Sequence, residues 1–509
     1  MSALEYSHST LETNSRRCAK LQRHAYPQTS DAPGQTDEKH SYQSHHIVAQ
    51  VDSFPKALAD SDRTDEKFVV HSDPIILEPD EKQNSGVAPQ RAGGRGTSKM
   101  GSLKAKVLLA VVSLILIGVA MGVAMGITVD RNHESGKEPS TTGSSITHST
   151  SPASAKLSAI REKYDVPGLA VGHLAGGELI SEVVGVRKQD NPTLLQSNDV
   201  FHLGGCTFPL TATLVAVYIE EGLFNWNTTM TEVFTSSKLH EKHRQTTIGM
   251  LCSNTAGIFT TDSANAFGSW WTEFRNESTN PVDLRWRFAQ ETLAKAPVTD
   301  PGFAWNLSVP GYMILASILE AKTGRSWESL MQDFFTLLDM DGCGFGVQPE
   351  SSRSAVDNPW PHEASASGPV PQLPDAVHGD NPSALWPAVG VHCSMSSYAS
   401  FLQLHLDGYN GRPTPFLKKE SFQMLHTPWP GLAQGYTYGG WTYDPTFANG
   451  TEYYVSGTNT FNYARGWLLV ERDEAFMSMT NEGGEDGSDA SLAALYYFAG
   501  YNVAPSNTY

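Results

Sequence analysis

The sequence carries little positive charge for its length. Its 509 residues include 36 Lys and Arg against 54 Asp and Glu, and the formal net charge at pH 7 is −18. A nucleic-acid-binding domain needs a basic stripe or patch that neutralises phosphates, and no such stripe follows residue 154. We therefore expect no nucleic-acid partner.

Cysteine is also scarce, since the chain has only five: Cys18, Cys206, Cys252, Cys343 and Cys393. Four of them follow residue 154 and allow three disulfide pairings, and their spacing does not choose between these. Free thiols in the core are an equally good interpretation of all four. The His and Cys residues show no spacing typical of a zinc site, so we expect no metal and no other cofactor.

The first part of the chain lacks a periodic apolar pattern. Residues 1–103 are rich in Ser, Asp, Glu, Lys, Gln and His, and they predict a disordered tail because they cannot bury enough surface to offset ordering entropy. Residues 130–153 predict a linker rich in Ser and Thr. Residues 154–509 have the composition of a folded domain.

Between tail and linker lies one long apolar run, VLLAVVSLILIGVAMGVAMGITV, at residues 107–129. Its 23 uncharged residues are enough to span a bilayer. More Lys and Arg precede it than follow it, which predicts a single-pass type II protein with its C-terminal domain in the lumen or outside the cell. Gly118, Gly122 and Gly126 share one helix face and suggest a homodimer seam, although small residues are common in membrane helices generally.

N-glycosylation sequons occur only after the apolar run, at Asn227, Asn276, Asn306 and Asn449. Glycosylation takes place in the secretory pathway, so this distribution agrees with a lumenal or extracellular domain. Chance alone would supply some of the four.

Five segments in order resemble the β-lactamase-like serine hydrolase and penicillin-binding protein (transpeptidase-like) family, in particular its fungal type. They are YDVPGLAVGHLAGGELISEVVGV at 164–186, HLGGCTF at 202–208 running into PLTATLVAVYIEEG, TTIGMLCSNTAGI at 246–258, the pair 311–331 and 388–408, and VSGTNTFNYARGWLLVERDEAFMSMTNEGG at 455–484. Together they cover about residues 155–500.

The resemblance implies a mixed α/β (α+β) domain. Its antiparallel sheet would be flanked by helices, with an inserted, mostly helical subdomain and a pocket between the two. Apolar patterns predict strands at 169–174 and 179–186 and helices at 209–222 and 311–322, in agreement with this fold. Asp489 is expected to cap a C-terminal helix over 490–500.

The resemblance also implies where catalytic residues would lie. The family uses Ser-x-x-Lys, Tyr-x-Asn and Lys/His-x-Gly motifs, in which Ser attacks and Lys takes its proton. At the corresponding positions this chain has Gly205, Phe208, Leu307, Val309 and Val455. These residues are apolar or lack a side chain, so the resemblance predicts a dry, apolar pocket without hydrolytic residues.

Two backbone N–H groups would survive such replacements, because an oxyanion hole does not depend on side chains. The resemblance assigns them to Gly205 and Thr458. Cys206 is a candidate nucleophile, but adjacent helical residues point about 100° apart and no base follows one turn later, which favours a core thiol. His202 and His392 are interpreted as structural histidines, and Ser394 and Ser396 as helix caps.

Three hypotheses for the function follow. In the first, the chain binds an apolar small molecule and promotes a cyclisation, isomerisation or cycloaddition in natural-product biosynthesis, by holding one conformation and polarising a carbonyl. In the second, it is a non-catalytic pseudoenzyme that acts as a binding or scaffold subunit. In the third, it is a residual hydrolase or acyltransferase that uses Cys206.

Overall fold

The structure, a computed structural model, describes residues 151–260, 267–276, 278–375, 377–432, 435–445 and 450–501. The predicted tail (1–103), the apolar run (107–129) with its three glycines, and all but the end of the linker lie outside these residues. Within the described part of the chain, no helix is both long and apolar enough to cross a bilayer.

An antiparallel sheet of seven strands, in the order β2-β1-β12-β11-β10-β9-β8, forms the centre of the domain. The strands of the described residues are β1 (Gly168–Ala175), β2 (Glu178–Gly185), β3 (Val200–His202), β4 (Cys343–Phe345), β5 (His362–Glu363), β6 (Val370–Pro371), β7 (Val391–Ser394), β8 (Gly435–Tyr436), β9 (Thr442–Asp444), β10 (Glu452–Thr458), β11 (Tyr463–Leu469) and β12 (Glu474–Thr480). Strands β3 to β7 take no part in this sheet, and most of the regular secondary structure between β2 and β8 is helical.

Helices cover both faces of the sheet. Those of the described residues are α1 (Pro152–Lys163), α2 (Thr207–Glu220), α3 (Met230–Val233), α4 (Ile248–Cys252), α5 (Ser269–Phe274), α6 (Pro281–Ala294), α7 (Val309–Thr323), α8 (Trp327–Leu337), α9 (Trp386–Val389), α10 (Met395–Asn410), α11 (Lys419–Leu425) and α12 (Glu485–Phe498). A 3-10 turn over Gly204–Cys206 leads directly into α2.

Side-chain alternation along β1 explains the two helical layers. Ala170 and Leu174 belong to the main core with α2, α7 and α10, whereas Leu169 and Val171 belong to a smaller core with α1 and α12. Successive residues of a strand point to opposite faces, so an apolar strand of this kind must be covered on both sides. The expected antiparallel sheet flanked by helices is confirmed.

The predicted elements lie close to the observed ones. The strands expected at 169–174 and 179–186 are β1 and β2, and the helices expected at 209–222 and 311–322 are α2 and α7. The start of α12 was predicted wrongly. It begins at Glu485 with Gly484 as N-cap, so Asp489 lies inside the helix.

The cysteine pairing, which the sequence left open, is defined by a second sheet of order β3-β7-β4. Cys343 and Cys393 are directly opposed on β4 and β7 and form a disulfide. Cys206 and Cys252 are free and buried. Both interpretations of the four cysteines are therefore partly right.

Candidate functional site

The start of α2 lies against the end of β10, backbone to backbone. Gly204 has φ of +50°, and a Cβ there would come within 2.4 Å of the Thr458 carbonyl carbon. A Cβ on Gly457 would come within 2.1 Å of the Gly205 nitrogen. Only glycine fits at these two positions, because any side chain would push the helix start away from the strand. The structure thus brings together the Gly205 and Thr458 segments that the resemblance assigns to an oxyanion hole.

The space beside Gly205 is occupied by the ring of Phe208, one helical turn later. A Cβ on Gly205 would meet Phe208 Cε2 at 3.4 Å and the Ser456 carbonyl oxygen at 3.3 Å. The Phe208 ring is buried and packs edge-on against Tyr312 of α7, with ring centroids 4.4 Å apart. A hydrocarbon ring therefore stands next to position 205, where it cannot accept a proton.

Cys206 faces the core. Its thiol lies 3.3 Å from the carbonyl oxygen of Ala464 on β11, and the residue is fully buried. Burial raises the pKa of the Cys206 thiol to about 12. This placement contradicts the hypothesis that Cys206 is a nucleophile, because attack requires an accessible thiolate.

The two positions that correspond to the Tyr-x-Asn motif differ in burial. Leu307 is 43% exposed and lies outside the main core. Val309 is the first residue of α7 and is half-buried against that core. Between them, Ser308 caps α7 by accepting a hydrogen bond from the Gly311 N–H at 3.0 Å.

Val455 and Thr458 occupy opposite faces of β10. Val455 is buried in the same core as Phe208, whereas Thr458 is exposed. The Thr458 hydroxyl donates to the Gly483 carbonyl at 3.2 Å and accepts from the Thr460 N–H at 2.8 Å. Val455 shares a face of β10 with Gly457, which abuts Gly205, and it adds only hydrocarbon to that face.

Two phenols and an amide lie beside these apolar residues. The Tyr312 hydroxyl donates to the Cys252 carbonyl at 2.7 Å. Asn254 accepts from the Ser308 N–H at 3.0 Å, and its side chain also interacts with Tyr436. Burial raises the pKa of both Tyr312 and Tyr436, so both phenols stay protonated at neutral pH.

These polar residues carried different signals in the sequence. Tyr312 and Asn254 stand within segments 311–331 and 246–258, which resemble the family, so the sequence does carry a signal for both. Tyr436 lies in a segment without a recognised motif, more than 100 residues from Tyr312. Only the fold reveals that Tyr436 is near the start of α7.

A buried histidine supports the loop that precedes Gly205. His202 Nδ1 accepts from the Gly204 N–H at 3.0 Å, so a neutral ring carries its proton on Nε2. That nitrogen lies 3.0 Å from Asp380 Oδ1, which also accepts from Asn459 at 3.2 Å. The network ties the start of α2 to the end of β10, and it explains His202 as a structural residue.

The other predicted structural groups also have partners. His392 is buried and its Nδ1 lies 2.9 Å from the Gly346 carbonyl oxygen. Burial lowers the pKa of His392 to about 4. Ser394 caps α10, as expected, by accepting from the Ser397 N–H, whereas Ser396 lies inside that helix. Within the described residues, no group of three or more His, Cys, Asp or Glu is placed to hold a metal ion.

The sequons differ in accessibility. Asn227 and Asn276 are exposed. Asn306 is half-buried, and its amide donates to Thr299 Oγ1 at 3.1 Å. Asn449 lies outside the described residues.

Comparison with known proteins agrees with the fold. The sequence model of the β-lactamase family matches residues 153–500, and the chain therefore belongs to the β-lactamase family. A penicillin-binding protein 4 from Amycolatopsis lactamdurans is 25% identical over 324 residues, which are 61% of this chain and 80% of that protein.

Solved structures of low sequence identity share the fold. The octameric penicillin-binding protein homologue from Pyrococcus abyssi is similar with a TM-score of 0.57 at 20% identity, over 69% of this chain and 77% of that one. A D-stereospecific amidohydrolase from Streptomyces sp. is similar with a TM-score of 0.52 at 18% identity, over 67% and 98%. At these identities the similarity shows the fold alone.

Proposed function

We propose that this chain is a membrane-anchored member of the β-lactamase family that binds an apolar small molecule beside Gly205 and Phe208. In this proposal the protein lacks the serine, lysine, tyrosine and histidine residues that carry out catalysis in the family. The protein instead promotes a non-covalent cyclisation, isomerisation or cycloaddition in natural-product biosynthesis.

The observation that carries the proposal is the contact between position 205 and the Phe208 ring. A Cβ on Gly205 would lie 3.4 Å from that ring, at the place where a serine nucleophile would need its base. Glycine offers no attacking oxygen and phenylalanine offers no proton acceptor. An acyl-enzyme route through these two residues is chemically excluded, whereas contact with an apolar ligand is favoured.

The groups that remain support a non-covalent reaction. The resemblance assigns an oxyanion hole to the backbone N–H groups of Gly205 and Thr458, whose segments lie against each other, and Tyr436 supplies a protonated phenol nearby. Such donors stabilise a carbonyl oxygen that gains negative charge. Holding a flexible substrate in one reactive conformation lowers the barrier further, without any covalent intermediate.

The anchoring part of the proposal draws on the apolar run 107–129 and on two features of the domain. The Cys343–Cys393 disulfide fits an oxidising compartment, such as the lumen of the secretory pathway or the cell exterior. The exposed sequon residues Asn227 and Asn276 fit the same side of the membrane. A type II orientation accounts for both.

Gene deletion with complementation tests the reaction. We expect metabolite profiling of a strain without the gene to show an accumulated precursor that the wild-type gene removes. Phe208→Lys should fail to remove it, because it places a charge against the ligand, while the matched control Cys206→Ser should succeed. Equal rescue by Phe208→Lys would contradict the proposal. If Phe208→Lys does not accumulate in membranes, Tyr436→Phe takes its place and should reduce turnover.

A second candidate function is a non-catalytic binding or scaffold subunit. It is favoured by the crowding at position 205, where a Cβ would meet Gly457 Cα and the Ser456 carbonyl oxygen at 3.3 Å. Under this alternative, the deletion strain would show no change in any metabolite, and a partner protein would copurify with the full chain.

A further inference from the structure

The segment before α7 exposes four large apolar side chains within ten residues. They are Val298, Phe303, Trp305 and Leu307, with exposed fractions of 58%, 80%, 45% and 43%. We call them the apolar rim. Single exposed apolar residues are ordinary on soluble domains, but a local concentration of this kind marks an interaction surface.

The backbone of the apolar rim is held by hydrogen bonds. The N–H of Gly302 donates to the Thr255 carbonyl at 2.6 Å, and that of Asn306 donates to the Asn254 carbonyl at 2.8 Å. Trp429 Nε1 donates to the Gly302 carbonyl at 3.0 Å. Because these bonds fix the loop on both sides of Phe303, the exposure of its side chain is a built feature of the fold.

The apolar rim is continuous with the candidate site. The Trp305 ring packs on Tyr436 with centroids 5.5 Å apart. Leu307 is followed by the Ser308 cap of α7, the helix whose Tyr312 contacts Phe208. Aromatic and aliphatic side chains thus lead from the solvent-facing Phe303 to the surroundings of Gly205.

We propose that the apolar rim lies in the surface of the membrane to which the chain is anchored, so that the site opens toward lipid. This inference rests on the proposed anchoring, and in it the apolar ligand enters the site from the bilayer. Trp, Phe and Leu are the side chains that lie at the boundary between headgroups and acyl chains. An apolar molecule dissolved in the bilayer then reaches Tyr436 and Phe208 without crossing water.

The length of chain outside the described structure allows this contact. The 22 residues from 130 to 151 separate the apolar run from α1. Fully extended, they span at most about 75 Å. The domain is therefore confined near the bilayer, and confinement raises the effective concentration of lipid at the apolar rim.

The sequon at Asn306 stands between Trp305 and Leu307. A glycan on Asn306 would be attached to the same amide nitrogen that donates to Thr299, and it would place hydrated sugar among side chains that contact lipid. The proposal therefore requires that Asn306 be unmodified in the membrane-bound protein, while the exposed Asn227 and Asn276 remain free to be modified.

Spin labelling of the full-length chain tests the proposal. A nitroxide is attached at Phe303→Cys, and the matched control is Ile180→Cys on β2, where the native side chain is 60% exposed. Both variants carry Cys18→Ser, and the two free thiols of the domain are buried. The proteins are reconstituted in phosphatidylcholine vesicles, and collision rates with oxygen and with a water-soluble nickel complex are measured.

We expect the ratio of oxygen to nickel collisions to be several-fold higher at position 303 than at position 180. Equal, water-like ratios in protein that floats with the vesicles would overturn the apolar-rim proposal and leave the anchoring intact. Protein that does not float with vesicles would overturn both. A glycan found on Asn306 by mass spectrometry would also overturn the placement of the apolar rim in lipid.

Discussion

The ring of Phe208 packs edge-on against the ring of Tyr312, with centroids 4.4 Å apart and planes 73° from parallel. Edge-to-face pairs of this geometry are favourable because the positive edge of one ring meets the negative face of the other. The contact joins α2 to α7 at the position where active relatives would need a base. Phe208 therefore has a structural role as well as a proposed role in binding.

Phe208→Ala should destabilise the domain. It removes a buried ring and its contact with Tyr312, and substitutions of this type cost about 3–5 kcal/mol. Phe208→Leu keeps most of the apolar volume and should cost less. Denaturant unfolding of both variants measures the difference, and equal stabilities would show that the ring does not fill the space between α2 and α7.

Gly205→Ser alone should not create a hydrolase. The new hydroxyl would have no base, and its Cβ would stand 3.3 Å from Gly457 Cα, so thermal stability should fall as well. Gly205→Ala is the control, because it has the same Cβ without the hydroxyl. Turnover of nitrocefin by the serine variant above the rate of the alanine variant would contradict our account of the site.

Acid should destabilise the domain between pH 6.5 and pH 4. Burial lowers the pKa of His362, His392 and His426 to about 4, and it lowers that of His405 well below its ordinary value. The unfolded chain binds protons on these groups near pH 6.5, while the folded chain does not. The stability that these histidines contribute is therefore fully present above pH 6.5 and is lost as pH falls toward 4.

The free energy of unfolding, measured across this pH range, should change by about 1 kcal/mol per pH unit for each fully buried histidine. His426→Gln removes one of the groups, and its unfolding free energy should depend less on pH. Glu162→Gln changes an exposed side chain of α1 and serves as control. Equal pH slopes for the wild type and His426→Gln would contradict the buried, neutral state of His426.

Loss of the disulfide should also weaken the domain. Cys343 and Cys393 are 50 residues apart and join β4 to β7 beside β3. Removing a native disulfide typically costs about 2–5 kcal/mol. The double variant Cys343→Ser/Cys393→Ser should show this loss in denaturant unfolding. The control Cys252→Ser keeps the disulfide, so reductant should lower its stability by as much as it lowers that of the wild type.

Much of the fold was predictable from the sequence because local patterns and tertiary structure agree. The apolar runs of β1 and β2 and the helical patterns of α2 and α7 all fold as expected. At α12 the prediction failed, because Asp489 is a favourable capping residue but the helix begins four residues earlier, at Glu485. Tertiary contacts decide such boundaries, and a sequence pattern does not contain them.

The site was predicted less completely. The family resemblance indicated Gly205 and Phe208, and the fold brings Gly205 into contact with β10 and with the Phe208 ring. The resemblance could not show that Leu307 points to solvent, since exposure depends on how the loop before α7 is tied to Asn254. Nor could it find Tyr436, which reaches the site from another part of the sheet.

We propose that no nucleophile operates at the start of α2. Incubation of the full-length protein with a fluorescent penicillin, followed by intact-mass and peptide mass spectrometry, tests it most directly. We predict no covalent adduct under conditions in which a serine penicillin-binding protein is fully labelled. A stoichiometric adduct on any residue adjoining Gly205 or β10 would contradict the claim.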